Sequence, residues 1–128
     1  MELFILIIQI SLAILMGYYA VPKLIFSKET LKAKGGEKMD YVDNLSSFSL
    51  VVIGLIELFT ALGLILSGFM AGFMWLCILS CLIIIVTMVG ALFLHIVRKD
   101  GGKAILVNFL YIFISSVVLF GNLYFNYL

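Results

Sequence analysis

Residues 53–66 read Ile-Gly-Leu-Ile-Glu-Leu-Phe-Thr-Ala-Leu-Gly-Leu-Ile-Leu. Glu57 is the one ionisable side chain in this run; the other thirteen positions are apolar, small or hydroxyl-bearing. A helix of this composition has no face to offer to water, so it belongs in a bilayer, where a helix satisfies every backbone group internally. The whole chain agrees. Of its 128 residues 65% are hydrophobic and 12% charged, with a mean hydropathy of +1.29, whereas soluble domains are about half apolar and about a quarter charged. A crossing needs roughly 20 apolar residues for a hydrocarbon core of about 30 Å. Four stretches qualify, at about 3–22, 48–66, 70–97 and 104–126. The expected fold is therefore all-α: an integral membrane, left-handed bundle of four transmembrane helices, filling residues 1–128 as one transmembrane domain.

The first stretch is expected to be retained rather than cleaved. Its leading residues Met1-Glu2 carry no basic charge, and no small-x-small pattern precedes Val21-Pro22-Lys23. Pro22 lacks an amide hydrogen and is placed at or past the last turn of this span. The hydrophilic connection 23–47 is too short for a domain of its own. Gly35-Gly36 is expected to divide it into two short interfacial helices, because paired glycines are poor in helix interiors.

All eight Lys and Arg lie in two connections: Lys23, Lys28, Lys32, Lys34 and Lys38 in the first, Arg98, Lys99 and Lys103 in the third. Cytoplasmic loops collect basic residues, so 23–47 and 98–103 are placed in the cytoplasm, with both termini outside a cell membrane. A net charge of +1 leaves no electropositive footprint for nucleic acid. The partners to expect are the lipid bilayer, another membrane protein or further copies of the chain. The short turn 99–103 makes the third and fourth spans antiparallel neighbours, and Ser67-Gly68-Phe69 does the same for the second and third.

At about 100° per residue, the small and polar residues of each span share one face. The first gathers Gln9, Ala13, Met16, Ala20 and Lys23; the second Ser47, Gly54, Glu57, Ala61 and Gly68. The third gathers Cys77, Cys81, Ile84, Met88, Ala91 and His95, and the fourth Ala104, Asn108, Tyr111, Ser115, Leu119, Asn122 and Asn126. Small and hydrogen-bonding residues concentrate where membrane helices meet, so these stripes line the inside of one bundle. Spacings of three and four suit crossing angles near +20°.

An isolated charge at the centre of a membrane helix costs about 2.5–3.5 kcal/mol on insertion scales. Glu57 must therefore be neutral, hydrogen-bonded, hydrated or paired. Counted from the basic ends at about 1.5 Å per residue, Glu57 lies roughly 13 Å deep, Tyr111 roughly 12 Å, Asn108 about 7 Å and His95 about 3 Å. Tyr111 and Asn108 are the expected partners of a protonated Glu57. Lys23 is expected to snorkel outward, as long basic side chains near helix ends do. His95 and Lys23 lie nearer the mouth of a polar cavity facing the cytoplasm. Intramembrane ionisable groups mark function by default, although a carboxyl can also serve as plain hydrogen-bonding glue between helices.

Other chemistry has little to build on. Cys77 and Cys81 stand one turn apart and are read as small hydrophobes rather than a redox pair. No Ser-His-Asp order, phosphate-binding loop or metal-ligand spacing occurs, and a lone histidine speaks against zinc or haem of ordinary type.

Three segments taken in order carry a resemblance: Ala20-Val-Pro-Lys23-Leu24, Ile53-Gly54-Leu-Ile-Glu57 followed by Ala61-Leu-Gly63-Leu64, and Gly90-Ala91-Leu-Phe-Leu-His95. Together they resemble the DoxX-like family of small four-helix membrane proteins, over essentially the whole chain. One departure is Ala20, where the family usually has glycine. The same order of lysine, Gly-x-x-Glu and histidine is also similar to animal membrane chaperones that assist nicotinic receptor assembly. The resemblance implies a membrane subunit, not an independent enzyme, that binds a quinone-like or lipid-like small molecule and serves an oxidoreductase complex. No cofactor beyond such a quinone is implied, and no metal. Lys23, Glu57 and His95 are the positions it marks, and Asn108 and Tyr111 join them as ligand-binding candidates through their depth beside Glu57. The alternative is an assembly factor that binds client transmembrane helices.

Overall fold

The computed structural model describes residues 2–26, 28–35, 46–99 and 101–127. Its elements in chain order are α1 (Glu2–Ile25), α2 (Lys28–Gly35), α3 (Ser47–Phe69), a 3-10 turn (Ala71–Phe73), α4 (Met74–Arg98) and α5 (Gly102–Tyr127). There is no strand among the described residues. Four of these helices, α1, α3, α4 and α5, are long and apolar enough to cross a membrane. They pack as a closed ring: α1 on α3, α3 on α4, α4 on α5 and α5 back on α1. The protein is an all-helical membrane protein with a four-helix bundle.

Local chemistry explains where each helix stops. Ser46 caps α3, its hydroxyl accepting from the Ser49 amide at 3.0 Å, which satisfies one of the donors every helix start leaves open. At the other end of α3, the Met70 amide donates back to the Leu66 carbonyl at 2.9 Å. α4 ends on Lys99 in the left-handed conformation (φ 60, ψ 39), whose amide reaches the carbonyls of His95 and Ile96. α2 ends at Gly35; the second interfacial helix expected beyond Gly36 falls outside the described residues.

α1 runs a turn further than the sequence suggests. Pro22 sits inside it and the helix continues to Ile25, with the Phe26 amide donating to the Pro22 carbonyl at 2.8 Å. A proline this close to the end removes one helical hydrogen bond and leaves the final turn intact. The extra turn keeps Lys23 on the helix and on its inward face.

The inward stripes hold. Ala13, Met16, Ala20, Cys77, Cys81 and Ile84 are all at most 1% exposed. Their opposite faces, including Leu55, Phe59, Phe109, Phe113 and Phe120, are exposed to what a bilayer would occupy. Ser47 is the exception on α3: it lies in the first turn and is exposed. Close approach is made by glycines. A Cβ on Gly54 would sit 3.2 Å from the Ala20 carbonyl oxygen, and one on Gly63 only 2.3 Å from the Ser80 hydroxyl. α1 therefore tolerates alanine at position 20 because α3 offers glycine opposite it. The interhelical distance is set on the other side of the contact.

Candidate functional site

Gly54 packed on Ala20 fixes the antiparallel register of α1 and α3, and that register brings Lys23 level with Glu57. Lys23 Nζ donates to Glu57 Oε1 in a buried ion pair, the two side chains 9% and 6% exposed. This corrects two expectations. Lys23 does not snorkel outward, and the partner of Glu57 is neither Tyr111 nor Asn108. The reason is electrostatic. A neutral hydrogen bond leaves the cost of a buried carboxylate largely standing, whereas an ammonium held at contact distance offsets two desolvated charges at once. Thr60, one turn along α3 and fully buried, turns its hydroxyl to the Glu57 carbonyl at 2.7 Å.

The pair lines a cavity of about 380 Å³ enclosed by α1, α3, α4 and α5. Lys23, Glu57, His95, Asn108 and Tyr111 all line it, so the tertiary fold gathers these side chains from four helices around one space. Most of the remaining wall is apolar, from Met16, Ile53, Ile56, Met88, Leu94 and Val107. The cavity is thus less polar than the sequence suggests: an apolar chamber with a few polar groups. Asn108 donates one amide hydrogen to the Ala104 carbonyl at 2.9 Å, and its second hydrogen and its oxygen remain available to a guest. The Tyr111 ring meets Tyr19 edge to face, centroids 6.2 Å apart at 82°. His95 is 6% exposed in the last turn of α4.

Two polar lining residues escape sequence reasoning, Tyr19 and Thr87. Each is next in sequence to a stripe residue, Ala20 and Met88, and so sits about 100° off the stripe's centre. A wider stripe would have included both. Thr87 spends its hydroxyl on the carbonyls of Ile83 and Ile84, at 2.8 and 3.0 Å.

A second polar cluster sits in the other half of the bundle. Gln9 donates to the Leu64 carbonyl at 2.7 Å and the Ser67 hydroxyl at 3.0 Å, and accepts from Asn122 Nδ2 at 3.0 Å. These bonds tie α1, α3 and α5 together. Cys77 and Cys81 are free, buried thiols near this end. No group of three or more His, Cys, Asp or Glu able to hold a metal occurs among the described residues.

The seam between α3 and α4 changes along its length. Gly63 and Ser80 close it at one level. Ile56 and Thr87, each seven residues from that contact and so two turns nearer the basic-loop end, are half-buried and line the cavity. In the α1–α5 seam the Tyr19 and Tyr111 rings meet edge to face.

No curated protein and no solved structure matches this chain. The model of the DoxX-like family matches residues 7–118, a range that holds the ion pair, the cavity and the greater part of all four spanning helices. The chain belongs to the DoxX-like family.

Proposed function

We propose that the protein is a membrane subunit that binds a quinone-like or lipid-like small molecule in this cavity and serves an oxidoreductase complex, without being an enzyme on its own. One observation carries the binding: a chamber of about 380 Å³, apolar over most of its wall, holds a buried Lys23–Glu57 pair beside Tyr111, Asn108 and His95. Small-molecule sites typically have this build, about 300–1,000 Å³ with a few converging polar groups. Glu57 and Lys23 exchange hydrogen bonds, or a proton, with a ligand carbonyl or hydroxyl. Tyr111 and Asn108 orient that head, and His95 relays to water at the mouth. In this reading the mouth is on the cytoplasmic side of the cell membrane, which the gathering of basic residues in two connections supports.

A client transmembrane helix is about 10–12 Å across its side chains, and a compact chamber of this size suits a small molecule better. The oxidoreductase role rests on family resemblance. Native mass spectrometry with extraction of co-purified small molecules tests the binding, comparing wild type with Glu57→Gln and Glu57→Leu. Loss of a specific small molecule from both variants is the expected result. Equal amounts in all three proteins discard the binding reading.

A further inference from the structure

We propose that the ligand enters sideways from the bilayer, through a slot between α3 and α4, and leaves its hydrocarbon chain in that slot. The ligand is then a neutral-headed amphiphile rather than a solute taken up from water. This inference rests on the cavity being a binding site and adds its route and its ligand class.

The slot follows from how one seam is built. At its closed level a Cβ on Gly63 would fall 2.3 Å from the Ser80 hydroxyl and 3.6 Å from the Leu76 carbonyl, so the two helices touch through their smallest residues. Two turns nearer the basic-loop end the facing positions are Ile56 and Thr87, both half-buried and both on the cavity wall. One further turn along α4, Gly90 is exposed and also lines the cavity, and a Cβ there would meet nothing within 4 Å. A residue with no side chain that belongs at once to the chamber wall and to the outer surface leaves an opening there. Gly90 lies well inside a helix with an apolar window, eight residues before its end at Arg98, so the opening faces hydrocarbon. Across the bundle Tyr19 also lines the cavity and is 36% exposed, but its ring packs edge to face on Tyr111 and puts bulk where Gly90 has none.

The slot's walls fit a chain, and its inner end fits a neutral head. Ile53, Ile56 and Leu94 line the way in. The buried charges met at the end, Lys23 and Glu57, compensate each other. Such a pair hydrogen-bonds a carbonyl or hydroxyl without a net field to hold an ion, and a charged head would enter the chamber with its desolvation uncompensated.

The test uses purified protein in liposomes and three photoreactive probes: a decyl-benzoquinone with a diazirine on the first carbons of its chain, decyl sulfate with the same diazirine, and the benzoquinone head with its diazirine and no chain. Cross-links are mapped by mass spectrometry. The chain-bearing quinone is expected to label Ile53, Ile56 and Thr87. Gly90→Trp, which fills the opening from a position with free space around it, is expected to reduce that labelling about tenfold. Ile56→Trp narrows the slot from the opposite wall and gives a second, independent block. The chainless head is expected to be much less sensitive to either block, and decyl sulfate to label about tenfold less than the quinone. Unchanged labelling in both Trp variants, or cross-links to Tyr19 in place of Ile56 and Thr87, overturns the α3–α4 route while leaving the cavity a binding site. Equal labelling by decyl sulfate overturns the neutral head. Absence of cavity labelling by any probe overturns this inference and the binding reading together.

Discussion

The buried pair makes the sharpest prediction. Lys23 and Glu57 keep only 9% and 6% of their side-chain surface exposed, so removing one partner strands a charge with almost no water. Such truncations cost about 3–5 kcal/mol, whereas replacing both members with apolar residues is often neutral or stabilising by about 1–4 kcal/mol. Lys23→Met strands the carboxyl and Glu57→Gln strands the amine, so each single variant should carry a truncation cost of that order. Lys23→Met with Glu57→Leu should regain wild-type stability or exceed it. Equilibrium unfolding in bicelles, followed by circular dichroism, measures all four proteins. Single variants within about 1 kcal/mol of wild type, or a double variant no more stable than either single one, would refute the desolvated pair.

Four further expectations concern the scaffold. Gly63→Ala places a methyl 2.3 Å from the Ser80 hydroxyl and should cost about 1–3 kcal/mol; adding Ser80→Ala should recover much of the loss, since the next atoms stand 3.6 Å away. Gln9→Leu and Asn122→Leu should each destabilise by about 0.6–1.7 kcal/mol, the range for interhelical polar contacts in membranes, and a double-mutant cycle that shows simple additivity would deny their shared bond. Lys103→Cys should react with a membrane-impermeant maleimide from the cytoplasmic face alone, and reaction from the opposite face would reverse the topology. Cys77 and Cys81, both 0% exposed, should stay unlabelled by permeant maleimides in the folded protein and react on unfolding; fast labelling under native conditions contradicts a closed core.

What the sequence determined is what repeats locally. Helix count and inward faces follow from hydrophobic length and a period of about 3.6 residues, which is why the stripe from Cys77 to His95 reads correctly without any knowledge of its neighbours. The five side chains proposed to meet the ligand were already identifiable from face and depth. Their pairing was not. Whether Glu57 meets Tyr111, Asn108 or Lys23 depends on α1 continuing past Pro22 and on a register set by Gly54 against Ala20, two contacts between segments more than 30 residues apart. The Gln9–Asn122 bond, spanning 113 residues, is invisible for the same reason. The tertiary structure alone decided which seam is tight and which is open, because a gap is a property of two surfaces: Ile56 and Thr87 are ordinary residues in sequence, and they form a slot only once the Gly63–Ser80 contact has fixed how their helices diverge.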